Sequence, residues 1–260
     1  MELNTHIPHP ARVYDYWLGG KDNFPADAAA AERAIEAMPT IVDSARANRA
    51  FLRRAVRFLA AEAGVRQFLD IGTGIPTSPN VHEIAQAVAP HSRVVYVDND
   101  PIVLVHARAL LTSSPEGVTD YVDADLRDPG KILRDAAKTL ELQQPVALML
   151  LTIVQLIPDA EDPYGIVSRL LGALPGGSYL VLSQPVNDVQ PEVAISAAQA
   201  LSRGGTMPVT LRSQAEVARF FDGLEVVEPG LVQVHRWRPD PGDTDLERKV
   251  SVVGAVARKP

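Results

Sequence analysis

The sequence predicts a doubly wound α/β domain built on a mainly parallel sheet, and three observations carry that expectation. Short apolar runs alternate with helical segments from residue 66 to residue 184. One of the runs, Val146–Ile153 (VALMLLTI), is apolar throughout, as expected of a parallel strand covered on both faces. The 260 residues, 46% hydrophobic and 22% charged, are enough to bury one large core without any covalent staple.

In order along the chain, residues 1–65 read as an irregular arm followed by two helices, Ala26–Met38 and Asp43–Ala63, separated at Met38-Pro39 and stopped by Gly64. Residues 66–260 form the sheet core of one compact domain. Strands are expected at Arg66–Ile71, Val94–Val97, Val118–Val122, Val146–Ile153 and Ser178–Ser183. The intervening helices fall at Asn80–Val88, Ile102–Leu111, Ile132–Leu140 and Pro163–Ala173. Two more helices, Glu192–Ser202 and Ser213–Phe221, precede a strand Gly223–Val227 that extends towards Leu231–Val234. The last strand, Val250–Arg258, is expected to close one edge of the sheet as an antiparallel hairpin.

Composition removes several chemistries. With no cysteine there is no disulfide, thiolate nucleophile or cysteine-ligated metal, and no His/Asp/Glu cluster has metal-ligand spacing. The net charge of −7 argues against a nucleic-acid partner, since the densest basic stretch (Arg46, Arg49, Arg53, Arg54, Arg57) reads as a helix face. No apolar run approaches the roughly 18 residues of a membrane span, and no signal peptide is legible, so the expected compartment is the cytoplasm.

In open α/β sheets ligands bind beyond the carboxyl ends of the strands. The first strand ends Asp70-Ile71-Gly72-Thr73-Gly74, where two glycines let the backbone approach a ligand. Ser78-Pro79 then offers a helix start, with the serine as cap. Thr77 stands where a dinucleotide fingerprint needs its third glycine, and Asp70 would repel a pyrophosphate but welcome an ammonium group. A ligand with an adenosine end and an amino-acid end suits the loop better. The second strand ends in Asp98, placed to accept ribose hydroxyls, with Asn99 beside it. Asp100 before Pro101 caps the next helix and leaves Asp98 free. Asp125 and the backbone of Leu126 follow the third strand at the depth of an adenine amine. Thr152 and Gln155 follow the fourth, flanking the reacting centre.

These runs, with Val97-Asp98-Asn99-Asp100-Pro101 and Asp125-Leu126-Arg127-Asp128-Pro129, resemble class I S-adenosylmethionine-dependent methyltransferases, which are Rossmann-like. More narrowly, the stretch from Ala11 to Phe24 (ARVYDYWLGGKDNF) looks like the signature arm of a bacterial S-adenosyl methyltransferase family once catalogued only as a domain of unknown function. The motifs Asn48-Arg49-Ala50-Phe51-Leu52 and Asn80-Val81-His82-Glu83 match it too. The resemblance implies a seven-stranded sheet of order 3-2-1-4-5-7-6 and S-adenosyl-L-methionine as cofactor. It also implies an arm folded over that cofactor: Tyr14, Tyr16 and Trp17 as a roof, Gly19-Gly20 as a tight turn, and Arg12, Lys21 or Arg49 meeting the methionine carboxylate.

The family pattern carries histidine after the fourth and fifth strands, where this chain has Gln155 and Gln184. Glutamine can donate and accept hydrogen bonds but cannot take a proton, so if these residues act in catalysis they orient rather than deprotonate. His9, His82 and His235 read as isolated surface or capping residues. The expected reaction is methyl transfer to a small-molecule acceptor. Two alternatives keep the cofactor: a fixed sulfonium that steers a rearrangement or cyclisation, and a non-catalytic binding protein. A nicotinamide-dependent dehydrogenase is disfavoured by Asp70 and the missing glycine. The arm, Pro185–Arg212 and the stretch after Gln155 are expected to face the acceptor.

Overall fold

A computed structural model describes residues 4–110, 113–203, 207–243 and 246–260. Prolines punctuate the fold: helices α1 (Pro10–Trp17), α2 (Pro25–Ala37), α5 (Pro101–Leu110), α6 (Pro129–Ala136), α7 (Pro163–Gly172) and α8 (Pro191–Ser202) each open on one. At that position the missing N–H costs nothing and the fixed φ suits the first turn. The others are α3 (Ile41–Ala61), α4 (Val81–Val88) and α9 (Gln214–Ala218). Helix α1 lies in what the sequence suggests is an irregular arm. Helix α4 starts two residues after the expected proline: Ser78-Pro79 is a cis turn outside the helix, and Asn80 is the cap, its N–H donating to the Glu83 carboxylate.

The strands are β1 (Gln67–Ile71), β2 (Arg93–Asp98), β3 (Val118–Asp123), β4 (Ala147–Leu151), β5 (Tyr179–Pro185), β6 (Glu225–Val226), β7 (Val232–Gln233) and β8 (Val252–Arg258). They form one sheet of order β3-β2-β1-β4-β5-β8-β6, parallel from β3 to β5, with β8 antiparallel to β5. The two-residue β6 and β7 both pair antiparallel with β8. The expected outermost strand is thus present in two pieces, interrupted at Pro229 and Gly230, because proline brings no N–H to the ladder. With those pieces taken as one edge strand, the order is the 3-2-1-4-5-7-6 of a Rossmann-like methyltransferase.

Strand alternation sorts the core into two faces. Leu69, Ile71, Leu148, Leu150 and Leu182 point into the cluster under α6 and α7. Phe68, Met149 and Val181 point to the other face, against Phe51, Ala55 and Leu59 of α3 and against Trp237. Helix α3 therefore belongs to the sheet's own packing although it precedes residue 65. A third cluster stands apart: Val13 of α1, Ala30, Ala31 and Ala34 of α2, Leu201 of α8, and Met207. This small cluster makes α1, α2 and α8 a cap over the carboxyl ends of the strands. No helix among the described residues is long and apolar enough to cross a membrane.

The arginines of α3 do not form one basic face. Arg46, Arg53 and Arg57 are exposed, whereas Arg54 is buried, donating to the carbonyls of Trp237 (2.8 Å) and Val234 (2.7 Å). Arg49 turns towards the strand ends.

Candidate active site

Between the strand ends and the cap lies a cavity of about 410 Å³. Its floor starts at the loop after β1, where Gly72 (φ +72°) and Gly74 (φ +66°) hold a backbone that glycine adopts without strain. A Cβ on Gly72 would come within 2.6 Å of the Ile153 side chain. The loop's N–H groups point inward: Gly72 and Thr73 donate to the Val97 carbonyl (2.8 and 3.3 Å) and Gly74 to Asp98 Oδ2 (2.9 Å). With these three donors engaged, the loop offers no nest for a phosphate.

Asp98 lines the cavity but is not free as expected. Its second oxygen accepts the Asp100 N–H (3.0 Å), because Asp100 turns the chain into α5, where it caps Ile102 N–H (2.9 Å). Each carboxylate oxygen still keeps a second lone pair for a ligand hydroxyl. Burial raises the pKa of Asp98, opposed by the N–H bonds from Asp100 and Gly74. Asp70, beneath the loop, is pushed up to about 6 by burial; the Thr73 hydroxyl (3.2 Å) and the Arg49 charge act the other way. After β3, Asp125 accepts from Asn99 Nδ2 (2.9 Å) and the Arg127 backbone (2.9 Å), with the Arg127 guanidinium against both oxygens. Asn99, Asp125 and buried Leu126 all line the cavity.

Thr152 stands at the end of β4 with φ of +50°, a left-handed conformation costly for a β-branched side chain. Its N–H is held by the Ser183 carbonyl (2.9 Å). Asn48 of α3 ties this end of the site to the arm: its amide nitrogen donates to Tyr14 (3.1 Å) and Thr152 (3.4 Å), and its oxygen accepts from Ser183 (2.7 Å). The Tyr14 hydroxyl donates to the Ala45 carbonyl (3.0 Å), and burial raises its pKa. Arg49 donates to the carbonyls of Thr77 and Pro79 (the latter 3.0 Å), which holds its guanidinium at the cavity wall. Asn48 and Ser183 join the site beyond the residues expected from the sequence, where the one signal is the place of Asn48 beside Arg49 in Asn48-Arg49-Ala50-Phe51-Leu52.

Four expected cofactor contacts lie elsewhere. Arg12 is buried beside Asp27 (3.1 Å), under Phe24, and donates to the Ile7 carbonyl (2.7 Å), so its charge is spent holding α1 to α2. Tyr16 hydrogen-bonds Glu32 on the outside of the cap, while Tyr14 and Trp17 line the cavity. Gly20 is exposed, backed by the Asp15 carboxylate, which a Cβ would strike. Lys21 is exposed and outside the cavity. The glutamines also separate. Gln155 is in the wall, its amide donating to the Thr152 carbonyl (2.6 Å). Gln184 is fully buried outside the cavity, its oxygen facing Arg212 Nη1 (3.3 Å). Arg212 also binds Asp159 (2.6 Å) and the Ile157 carbonyl (2.9 Å), clamping the segment after α8 to the segment after β4. His9 Nδ1 lies 3.0 Å from Asp100 Oδ2. Among the described residues, no group of three or more His, Asp or Glu could hold a metal ion.

The model of one protein family, S-adenosyl methyltransferase, matches residues 1–260. The chain belongs to that family. It is similar to a protein of the DUF574 family from Streptomyces avermitilis (52% identity, all of both chains, TM-score 0.96). It is also similar to a candidate methyltransferase from Thermobifida fusca (40% identity, 99% of this chain and 97% of that one, TM-score 0.90). The plantazolicin methyltransferase BamL, solved with S-adenosylhomocysteine and a desmethyl-plantazolicin analogue, shares the fold at 12% identity (96% and 95% coverage, TM-score 0.57). No curated protein matches the chain in sequence. This S-adenosyl methyltransferase uses S-adenosylmethionine as methyl donor, and its site fits that ligand: acidic side chains at the ends of β1, β2 and β3, and a glycine loop without a phosphate nest.

Proposed function

We propose that this methyltransferase transfers its methyl group to a small molecule enclosed with the cofactor beneath the cap. The observation that carries the proposal is the cavity itself, walled by α1, α3, α8 and the strand ends, in which an acceptor must fit alongside the cofactor. S-adenosylmethionine supplies a methyl group on a positively charged sulfur, so the protein's task is alignment and exclusion of water.

Residues of this chain divide that task. Asp98 takes the ribose hydroxyls, with Asn99 beside it; Asp125 and the Leu126 backbone take the adenine. Gly72, Thr73 and Gly74 give the close backbone approach. Asp70 faces the ammonium and Arg49 the carboxylate of the methionine end. Thr152, fixed by Asn48 and Ser183, flanks the reacting centre. Tyr14 and Trp17 roof it. Gln155 orients the acceptor, and Gln184 supports the wall through Arg212. Family membership favours methyl transfer over a steered rearrangement or a non-catalytic role.

The test is mass spectrometry of a cell extract incubated with the protein and S-adenosylmethionine, after ultrafiltration into small-molecule and macromolecular fractions. The expected result is a compound in the small-molecule fraction that gains one methylene, with S-adenosylhomocysteine formed in step. Methylation confined to protein or nucleic acid would overturn the proposal.

A further inference from the structure

Away from the strand ends of β1, β2 and β3, the cavity changes character. Its far wall is made by Met38, Ile41 and Leu52 on one side and by Ala197, Leu201 and Met207 on the other. The polar side chains there are Tyr14, Ser44, Asn48, Thr152, Gln155 and Ser251. Asp15 and Arg49, the chain neighbours of Tyr14 and Asn48, also line the cavity, with their charged atoms bonded elsewhere: Arg49 donates to the carbonyls of Thr77 and Pro79. The charged groups that touch the cavity lie at its other end or face away: Asp70, Asp98, Asp125, Arg127 and Arg49 at the loops, and His9 on Asp100. Asp15 is held by Asp22 N–H (3.1 Å) and Asn23 (2.8 Å). Tyr14, whose hydroxyl faces this wall, has its pKa raised by burial, with the Asn48 hydrogen bond and the Arg49 charge acting the other way, and so stays protonated near neutral pH.

Two consequences follow for the acceptor. An ion buried against this wall would meet mainly apolar side chains, and the nearest charges, Asp15 and Arg49, are already bonded to other groups, so the body of the acceptor is uncharged and apolar. The nucleophile must also react without a protein base. Alcohols and thiols carry a proton that has to leave before or during attack, and aliphatic amines are protonated near neutral pH, like lysine. A weakly basic aryl or heteroaryl nitrogen is neutral there and keeps any proton it has through the transfer.

We propose that the acceptor is an uncharged, largely apolar aryl or heteroaryl amine, methylated on nitrogen. This rests on the methyltransferase reading above and narrows it. The nitrogen lone pair forms the N–C bond as the S–C bond breaks and its electron pair returns to sulfur. The positive charge passes from sulfur to nitrogen, and any N–H proton is lost to water after release. Two methionines in the wall, Met38 and Met207, suit a flat aromatic body, since their unbranched thioethers adapt to its edges.

The test uses 1-aminonaphthalene, which is neutral and fluorescent, titrated into the free protein and into protein saturated with S-adenosylhomocysteine. Naphthalene-1-sulfonate and 1-naphthol serve as the charged and hydroxyl counterparts. The amine should bind saturably, at least tenfold tighter than the sulfonate, and should gain a methyl group in the presence of S-adenosylmethionine. Ala197→Asp should weaken amine binding at least tenfold while S-adenosylhomocysteine binding is retained. If that variant does not fold, the amine-to-sulfonate ratio on the natural chain decides. Equal binding of amine and sulfonate, or methylation of 1-naphthol but not of the amine, would overturn the inference. Failure to bind S-adenosylhomocysteine would instead strike the assignment of the cofactor half, while the amine titration on the free protein still judges the apolar half.

Discussion

The two halves of the cavity are built by opposite means. The half at the ends of β1, β2 and β3 is polar and local: each acidic side chain follows directly from the strand that positions it, and the groups hold one another through backbone N–H bonds. The half under the cap is largely apolar and assembled at long range, from α3, α8, Met38 after α2 and the chain around Met207. A pre-organised polar frame suits a ligand of fixed structure. An apolar wall with small and flexible side chains can be reshaped by single substitutions without disturbing that frame. The difference predicts that substitutions in the first half act on cofactor binding and those in the second on the acceptor.

The sharpest way to break the comparison is Asp98→Ala. It removes a charged acceptor from the N–H groups of Gly74 and Asp100 and from the proposed ribose contact. At about 1.5–3 kcal/mol for each hydrogen bond to a charged group, cofactor affinity should fall on the order of a hundred- to ten-thousand-fold. Thermal unfolding is the readout. Ligand at a hundred times its dissociation constant adds about 2.7 kcal/mol, or a rise of roughly 5–10 °C for a domain of this size. The natural chain should show that rise with S-adenosylhomocysteine, and the variant should not. An undiminished rise in the variant would remove Asp98 from the cofactor site.

Gly72→Ala comes next. The residue sits at φ +72° with the Ile153 side chain 2.6 Å from the added methyl. Strain of about 1–3 kcal/mol plus the overlap should lower stability by a few kcal/mol and shift the loop against the cofactor. Adding Ile153→Ala should recover the steric part and leave the backbone part, a positive coupling readable in a double-mutant cycle. Purely additive losses would mean that the loop relaxes away from Ile153.

The polar half was legible in the sequence because its signals are short: a strand, an acid, a glycine turn, a helix cap. That is why Asp70, Gly72, Gly74, Asp98, Asn99 and Asp125 all meet at one cavity. The arm was legible only as a motif. Arg12 and Lys21 are both cations near the expected roof, and nothing in their spacing tells that one is drawn into Asp27 while the other faces water. The apolar half was illegible for a deeper reason. Ala197, Leu201 and Met207 are the residue types that also build a core, and only the packing of α8 on α2 decides which of their surfaces remain open.

A smaller effect sharpens the electrostatics of the polar half. Asp70 has an ordinary pKa of 3.8 raised to about 6 in the fold, chiefly by burial. The folded state therefore holds that proton more tightly than the unfolded one. This contribution to stability is full below about pH 4 and is lost as pH rises through 6, a cost of about 3 kcal/mol at most. A ligand ammonium beside the ionised carboxylate offsets part of that cost. The stabilisation by S-adenosylhomocysteine should accordingly grow between pH 5 and 7, and Asp98, whose pKa is also raised, contributes with the same sign. Asp70→Asn should flatten most of the trend. A pH-independent ligand shift in the natural chain would remove the ammonium from Asp70.

The smallest effects belong to the outside of the cap, and they bear on whether the arm acts through contact or through packing. The Tyr16 hydroxyl meets Glu32 at the surface, and Lys21 is exposed beyond the turn after α1. Surface substitutions of this kind usually change stability by no more than about 0.5 kcal/mol. Tyr16→Phe and Lys21→Ala should leave the ligand-induced rise in unfolding temperature and the rate of S-adenosylhomocysteine formation within about twofold of the natural chain. Tyr14→Phe, which removes the hydroxyl joined to Ala45 and Asn48 inside the cavity, should lower the rate by more than either. If Lys21→Ala proves as damaging as Tyr14→Phe, the arm must close further on ligand binding and bring its outer face to the methionine end, and the division between a contacting inner face and a merely packed outer face would have to be redrawn.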